Sequence, residues 1–380
     1  MENQDLYYGF ISAIQFIASL HGLALASLLF FHTRFNQFSN RMLALSLLGI
    51  SIVLIYEFSY NLELNETAAG FFLLLPVYNR SIIPVGIFFF TTSLVHGRQY
   101  LTKQEAWWWA PVLLELVLEA SRIPMYLWVR TASEREAMEV YYEAIGEGLG
   151  LLVTLILLPL SLWWVFRYQR NLYEQTASPA GQSLAWLRRF LMSMLVLDLA
   201  WTISFIQASM GQDPEKTFIY LSLGLALFLF ILGYFLILQR EVFQPLPLPD
   251  EPASLPVRKL STKTEQYHQD LLKLMTEQQR YLEEDLTLGK LSEGLGISPG
   301  YLSQVIHEKE GKNFFEFVNA YRVEAVKEKL LDPAFAHYSI LGIAYECGFK
   351  TKSTFNTAFK KMTGNTPSAF RKKMTEKVPN

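Results

Sequence analysis

Near the C-terminus, Gly300, Ser303, Gln304 and His307 follow one another at the spacing of one outward helix face. Their small, hydroxyl, amide and imidazole groups can approach a nucleic-acid base and exchange hydrogen bonds with its edge. Glutamine is suited to the N6 and N7 atoms of adenine in the major groove of DNA. This group therefore predicts a helix that reads bases.

A second group of polar side chains repeats this chemistry further along the chain and carries more positive charge. It consists of Lys352, Ser353, Asn356, Thr357 and Lys360, with Lys350 just before it. A basic rim accompanies it: Lys361, Arg371, Lys372 and Lys373. Residues 286–373 hold 13 Lys and Arg against 8 Asp and Glu, an excess suited to DNA phosphates.

A helix-turn-helix pattern positions the first group. Leucines at 286, 288, 291 and 295 form one apolar face, and Gly296 ends that helix. Ser298 is a good N-cap and Pro299 suits the first helical position. Leu302, Val305 and Ile306 then face the core. Two short helices joined by a tight turn are typical of this motif.

The same pattern recurs after a long amphipathic helix that Asn313 caps and that runs to Leu331. Ser339 caps the next short helix, and Gly348 is expected to end it in the left-handed conformation. The buried side of the second reading helix is predicted to hold Phe355, Phe359 and Met362. The two motifs are therefore expected to form a tandem joined by one helical strut.

The segments "LSEGLGISPGYLSQVIHEKEGKNFFEFVNAYRVEAVKEKLL" and "ILGIAYECGFKTKSTFNTAFKKMTGNTPSAFR" resemble the AraC/XylS family of bacterial transcription regulators. The matching positions of the second segment are Ile343, Ala344, Gly348, Phe349, Phe355, Phe359, Lys360, Gly364, Pro367, Phe370 and Arg371. Phe370 stands where the family often has Tyr. The resemblance covers roughly 100 residues, and the N-terminal half resembles the multi-span module of a membrane-bound subgroup.

The resemblance implies that each reading helix enters one of two successive major-groove segments, about 34 Å apart. Base contacts would come from Gly300, Ser303 and Gln304 on the first helix. On the second they would come from Lys352, Ser353, Asn356 and Thr357. Because Gly300 has no side chain, the first helix is expected to be less selective than usual.

The first 240 residues differ in composition from the C-terminal part, because they contain long apolar runs. The whole chain is only 18% charged. A membrane-spanning helix needs about 20 mostly apolar residues. Seven segments fit: Leu6–Phe31, Met42–Leu62, Phe71–Val95, Ala106–Ala120, Ala144–Phe166, Leu187–Ala208 and Phe218–Leu238. The predicted fold class is therefore all-α: a seven-helix transmembrane bundle followed by a soluble tandem helix-turn-helix domain.

The distribution of basic residues predicts the orientation of these spans. One side holds Arg34, Arg41, Arg98, Lys103, Arg167, Arg170, Arg188, Arg189 and Arg240. The other side holds Arg122, Arg130, Arg135 and Lys216. By the positive-inside rule the N-terminus lies outside and the C-terminal domain is cytoplasmic, at a bacterial inner membrane. A large water-soluble helical core would not show this bias.

Several ionisable side chains fall inside the predicted spans: His21, Glu57, Arg80, Glu115, Glu147 and Asp198. Such groups usually face the bundle interior and pair, because a charge facing lipid is costly. His21, Glu57, Arg80 and Asp198 are the candidate sensor site, and Glu57 is expected to pair with Arg80. That pair either lines an outward pocket or simply holds helices together.

The predicted domains are the spanning module 1–240, a Pro-rich linker 241–262, a connecting helix 263–285 and the double helix-turn-helix 286–375. The linker is expected to be an extended spacer. The connecting helix either pairs with a second copy as a coiled coil or packs on its own domain. The single cysteine, Cys347, excludes a disulfide within the chain and is expected to be a buried apolar group.

The leading functional prediction is a membrane-anchored one-component transcription regulator. Its partners would be double-stranded DNA, the lipid bilayer, a second copy as a homodimer, and an unknown small-molecule or protein signal. The alternative is a transporter or channel with a regulatory helix-turn-helix tail, and the tandem motif could bind protein instead of DNA. No metal site, cofactor or enzymatic activity is predicted, because the motifs for those are missing.

Overall fold

The computed structural model describes residues 2–32, 36–61, 79–97, 100, 102, 104–128, 132–179, 184–211, 215–238 and 263–375. Over these residues the chain is helical and contains no β-strand, which confirms the all-α class. The helices group into two compact units. The N-terminal unit comprises Met1–Val165 and Ala185–Leu246, and the C-terminal unit comprises Phe166–Leu184 and Pro247–Asn380. The predicted linker 241–262 lies outside the described residues.

The N-terminal unit consists of long apolar helices and one shorter one. They are α1 (Glu2–Phe31), α2 (Gln37–Asn61), α3 (Ile82–His96), α4 (Ala110–Trp128), α5 (Ala132–Gln175), α6 (Ala185–Ser209) and α7 (Glu215–Leu238). Helix α1 packs against α2 and α7, α2 also packs against α3, and α6 packs against α7. The C-terminal end of α5 belongs to the other unit.

Five described helices are long and apolar enough to cross a membrane. Their apolar stretches are Gly9–Phe31, Gln37–Ser59, Val140–Gln175, Ala185–Ser209 and Thr217–Phe235. They correspond to five of the seven predicted spans. Large apolar side chains such as Leu28, Val196 and Leu227 are exposed on them. A water-soluble monomer rarely exposes large contiguous apolar patches, so these surfaces fit an apolar solvent.

The remaining two predicted spans have a different outcome, and the count of seven is not confirmed. Helix α3 is a shorter apolar helix of 15 residues. The first part of its predicted span, residues 71–78, lies outside the described residues. Helix α4 carries Glu115, Glu119 and Arg122 and is not among the five, because these charges interrupt its apolar run.

The C-terminal unit contains α8 (Lys263–Thr276), α9 (Leu288–Leu295), α10 (Pro299–Glu310), α11 (Phe314–Leu331), α12 (Ile340–Glu346), α13 (Lys352–Thr363) and α14 (Pro367–Thr375). Two hydrophobic cores lie on either side of α11. The first core includes Leu291, Leu302 and Phe317, and the second includes Ile343, Phe355 and Phe359. Helix α11 therefore joins the two helix-turn-helix halves, as the sequence predicts.

Helix α8 packs on its own domain. Leu271 and Met275 are fully buried in the first core, and Leu274 packs against it. These apolar side chains, which could also have paired with a second copy in a coiled coil, are thus buried within the C-terminal unit. The predicted partition placed residues 166–184 in the spanning module, whereas the structure groups Phe166–Leu184 with this unit.

Candidate nucleic-acid interface

The first reading helix, α10, is positioned by a tight turn with the predicted chemistry. Gly296 ends α9 with a φ of 65°, a left-handed conformation that favours glycine. Ser298 then caps α10, because its hydroxyl accepts a hydrogen bond from the backbone N–H of Tyr301 at 3.3 Å. Leu302, Val305 and Ile306 are fully buried, so the opposite face of α10 points away from the core.

The predicted base-reading residues of α10 lie on that opposite face. His307 is exposed, and Gly300, Ser303 and Gln304 are half-buried. Ser303 donates a hydrogen bond to the carboxylate of Glu174 at 3.4 Å. The first reading group is therefore brought together as predicted, but a carboxylate from a distant part of the chain lies against it.

The second reading helix, α13, follows a turn of the same design. Gly348 has a φ of 84°, and the Thr351 hydroxyl caps α13 by accepting from the N–H of Thr354. All five predicted reading side chains are exposed: Lys352, Ser353, Asn356, Thr357 and Lys360. Phe355 and Phe359 are buried. The predicted buried position of Met362 is wrong, because this residue is 36% exposed.

The strut α11 is fixed at its start by the predicted cap. Asn313 accepts from the N–H of Glu316 at 2.8 Å, and Glu316 accepts from the N–H of Asn313 at 3.1 Å. Such a capping box satisfies two otherwise unpaired donors. Lys361 on α13 also donates to Glu316 at 2.5 Å. Burial alone would raise the pKa of Glu316, but these hydrogen bonds outweigh it, and the pKa is lowered.

Arg322, in the middle of α11, is completely buried and is the polar centre of the C-terminal unit. Its guanidinium donates to the backbone carbonyls of Tyr281 at 2.7 Å and Glu283 at 2.6 Å. It also donates to the hydroxyl of Ser178 at 3.3 Å and lies over the ring of Phe349. Burial lowers the pKa of Arg322 to about 10. No sequence pattern singled this residue out.

Charged groups near the second reading helix are partly paired within the domain. Lys350 donates to Asp285 at 2.6 Å, and this hydrogen bond lowers the pKa of Asp285 and raises that of Lys350. Both side chains are largely exposed, so the pair is weak in water and a DNA phosphate can compete for the lysine. Cys347 is buried, which raises its pKa to about 11 and makes the thiol unreactive.

A second candidate site is a cavity of about 90 Å³ within the N-terminal unit. Arg80 and Asp198 line it together with Glu147, Trp201 and apolar side chains. The sequence prediction paired Arg80 with Glu57. In the structure Arg80 forms an ion pair with Glu147, 2.6 Å away, and Trp201 also donates to Glu147.

The other two predicted sensor residues do not line this cavity. Glu57 is half-buried on α2, and the ring of His21 packs beside Phe230, with 5.3 Å between the ring centroids. Of the four candidate sensor residues, Arg80 and Asp198 line this cavity. Glu147 is among the ionisable side chains of the predicted spans, but nothing in its local sequence marks it as the partner of Arg80.

Comparison with known proteins supports the C-terminal geometry. A family profile described as a helix-turn-helix domain matches residues 291–373. An uncharacterised HTH-type transcriptional regulator of Staphylococcus aureus strain COL is 36% identical over 91 residues. The regulator YtdP of Bacillus subtilis is 33% identical over 89 residues. The matches cover 24% and 23% of this chain, and 12% and 11% of those relatives.

Two solved structures also match part of the chain. One is a protein of unknown function from Listeria innocua, 32% identical, with 28% of this chain and 94% of that chain covered. The other is the C-terminal domain of AraT, a response regulator from Geobacillus stearothermophilus. It is also 32% identical and covers 30% of this chain and 88% of its own. Both have a TM-score of 0.25.

Proposed function

We propose that this chain, whose C-terminal part is a helix-turn-helix domain of the AraC type, is a membrane-anchored transcription regulator that binds promoter DNA. The observation that carries the proposal is the pair of capped reading helices, α10 and α13. Each turns its predicted base-reading side chains away from a separate core on either side of α11. A module with two such helices can contact two major-groove segments.

The charge on this surface supports duplex DNA as the ligand. Lys352 and Lys360 are exposed on α13, and Lys361 and Lys372 are exposed beside them. Cationic side chains around exposed amide and hydroxyl groups suit phosphate contacts around a base-reading helix. The regulator names of the relatives agree with this ligand.

Membrane anchoring is proposed for the N-terminal unit. Its support is the five long apolar helices with exposed Leu, Val and Ile side chains, together with the bias of basic residues toward one side of the predicted spans. On this proposal the chain resides in a bacterial cell membrane and its C-terminal domain lies in the cytoplasm. A fusion at the C-terminus should therefore make green fluorescent protein fluoresce and leave alkaline phosphatase inactive.

Signal detection is assigned to the cavity beside Asp198. Arg80 and Glu147 neutralise each other, whereas Asp198 Oδ2 is buried and has no hydrogen-bond partner among the described residues. The other walls, such as Leu151, Met194 and Leu221, are apolar. The site therefore suits a small apolar molecule with an ammonium or hydroxyl head. We expect n-butylamine to raise the melting temperature of the protein more than butyrate does. Asp198→Asn should abolish that difference.

DNA binding is tested with the whole chain in lipid nanodiscs. Duplexes are selected from a randomised pool, and the dissociation constant of the best duplex is measured against NaCl concentration. We expect steep salt dependence, and Lys360→Ala should reduce the slope of log K against log salt by about one. The control is Lys327→Ala, because Lys327 pairs with Glu324 on α11. Failure to select any duplex, or salt-independent binding, would refute the proposal.

A further inference from the structure

A short segment at the end of α5 docks on the C-terminal unit and contacts both of its cores. This segment, Tyr173–Ser178, is called the strap below. The ring of Tyr173 packs edge-on against Phe315 beside the second core, with 5.1 Å between the centroids. Ala177 is completely buried in the first core. The strap thus joins the two helix-turn-helix halves on one side of α11.

Polar contacts fix the position of the strap on the C-terminal unit. Thr176 forms an isolated antiparallel bridge with Thr287, the residue that caps α9. The backbone carbonyl of Ala177 accepts from the buried amide of Asn319 at 2.9 Å. The hydroxyl of Ser178 accepts from Arg322, at the polar centre of the unit. Buried polar groups need such partners, so the strap completes the hydrogen bonding of α11.

The strap also reaches the first reading helix through one charged side chain. The carboxylate of Glu174 accepts from Ser303 on α10 at 3.4 Å. Ser303 belongs to the group expected to meet bases, and a DNA duplex there would bring phosphates close to Glu174. Like charges repel, and the repulsion grows where protein and DNA exclude water.

We propose that the strap is an intramolecular regulatory element, in which docked Glu174 opposes DNA binding at α10. This inference rests on the proposed DNA-binding function. The strap comprises the last residues of α5 and the first residues of the connection to α6, and the apolar stretches of α5 and α6 are two of the five candidate spans. A rearrangement of those spans would therefore pull directly on the segment that touches Ser303, Asn319 and Arg322.

The first test removes only the charge of Glu174. Glu174→Gln keeps an oxygen that can accept from Ser303, so the strap should stay docked and the melting temperature should not change. The whole chain in nanodiscs should then bind its selected duplex about fivefold more tightly than wild type. Glu324→Gln removes one carboxylate from α11, where Glu324 pairs with Lys327, and should leave the affinity unchanged.

The second test fixes the strap in place within one polypeptide. Glu174→Cys and Ser303→Cys are introduced together, and a short bis-maleimide links them; the native Cys347 is buried. The linked protein should bind the duplex more weakly than the same protein whose two introduced thiols are each capped with N-ethylmaleimide, so that both samples carry an adduct at positions 174 and 303.

Equal affinities in both tests would overturn the role of the strap while leaving DNA binding intact. The role of the strap would also be overturned if Glu324→Gln increased the affinity for DNA as much as Glu174→Gln does. The change in net charge alone would then explain both increases. If wild type selects no duplex at all, the proposed function itself fails, and this result is distinct from the other two.

Discussion

A Cβ atom added at Gly348 would lie 2.5 Å from the backbone carbonyl oxygen of Tyr281 and 2.8 Å from that of Leu282. Real Cβ atoms do not come so close to backbone, and Gly348 also has a positive φ. The turn of the second helix-turn-helix therefore packs directly on the segment that follows α8, and only glycine allows this contact.

This contact predicts a large difference between two glycines with similar φ. Gly296→Ala should cost about 1 kcal/mol of unfolding free energy, because its space is open and only the backbone conformation is strained. Gly348→Ala adds a backbone clash and should cost about twice that or more. Thermal unfolding of the two variants, followed by circular dichroism, measures both. Equal losses of unfolding free energy in the two variants would contradict the close contact between Gly348 and the carbonyl oxygen of Tyr281.

Arg322 predicts a second stability effect. Arg322→Met keeps the bulk of the side chain but leaves the carbonyls of Tyr281 and Glu283 without their donor. Unpaired buried acceptors are costly, so we expect a loss of about 3 kcal/mol. Lys327→Met removes only an exposed ion pair on the same helix and should change stability by less than about 0.5 kcal/mol. Similar unfolding temperatures for the two variants would contradict the central role of Arg322.

Asn356 predicts an effect on binding without an effect on folding. Its side chain is exposed on α13, so Asn356→Ala should leave the unfolding temperature unchanged. If it reads a base, the variant should lose about 1–3 kcal/mol of affinity for the selected duplex and accept substitutions at one base position. Repeating the selection with the variant identifies that position. Unchanged sequence preference would exclude Asn356 from base reading.

Glu316 predicts a dependence of stability on pH. Its folded-state pKa is lowered below the ordinary 4.5, so its carboxylate contributes stability that is fully present above pH 4.5 and is lost as pH falls through the folded pKa. Glu316→Gln keeps the capping oxygen but removes the charge that faces Lys361. Wild type should therefore be more stable than the variant at pH 7, and the difference should shrink below pH 4.5. A difference that does not vary with pH would contradict this.

The Arg80–Glu147 pair predicts non-additive substitutions in the N-terminal unit. Both side chains are largely buried, at 12% and 6% exposed, so removing either one takes from the other charge its ion-pair partner. Arg80→Gln and Glu147→Gln should each lower the unfolding temperature in detergent. The double variant should lose less than the sum of the two, with a coupling of about 1–2 kcal/mol. Simple additivity would show that the pair is not coupled.

The parts of this architecture that depend on neighbouring residues were predictable from the sequence. The caps at Ser298, Asn313 and Ser339 and the left-handed turn at Gly348 are all present. Each depends on a few consecutive residues, which periodicity and turn chemistry capture. The exposed face of α13 follows in the same way from the spacing of Phe355 and Phe359.

The contacts that were missed join residues far apart in the chain. Ala177 meets Asn319 and Ser178 meets Arg322 across more than 140 positions, and nothing in their local sequences indicates a docking site. The sequence pairs Arg80 with Glu57 because both are expected to lie at similar depth in neighbouring spans. The contact between Arg80 and Glu147 joins residues 67 positions apart, and spacing along the chain does not indicate it.

The strap gives the DNA-binding domain an attachment to the remainder of the chain that does not run through residues 241–262. A protease that cuts in this Pro-rich stretch severs only one of the connections, because Phe166–Leu184 stays covalently joined to α5 and α6. Ala177 and Ser178 would still hold the cleaved domain by burial and hydrogen bonds. Release of the DNA-binding domain by a single proteolytic cut in residues 241–262 is therefore disfavoured, and under the proposed membrane anchoring its target promoters would have to come to the bilayer.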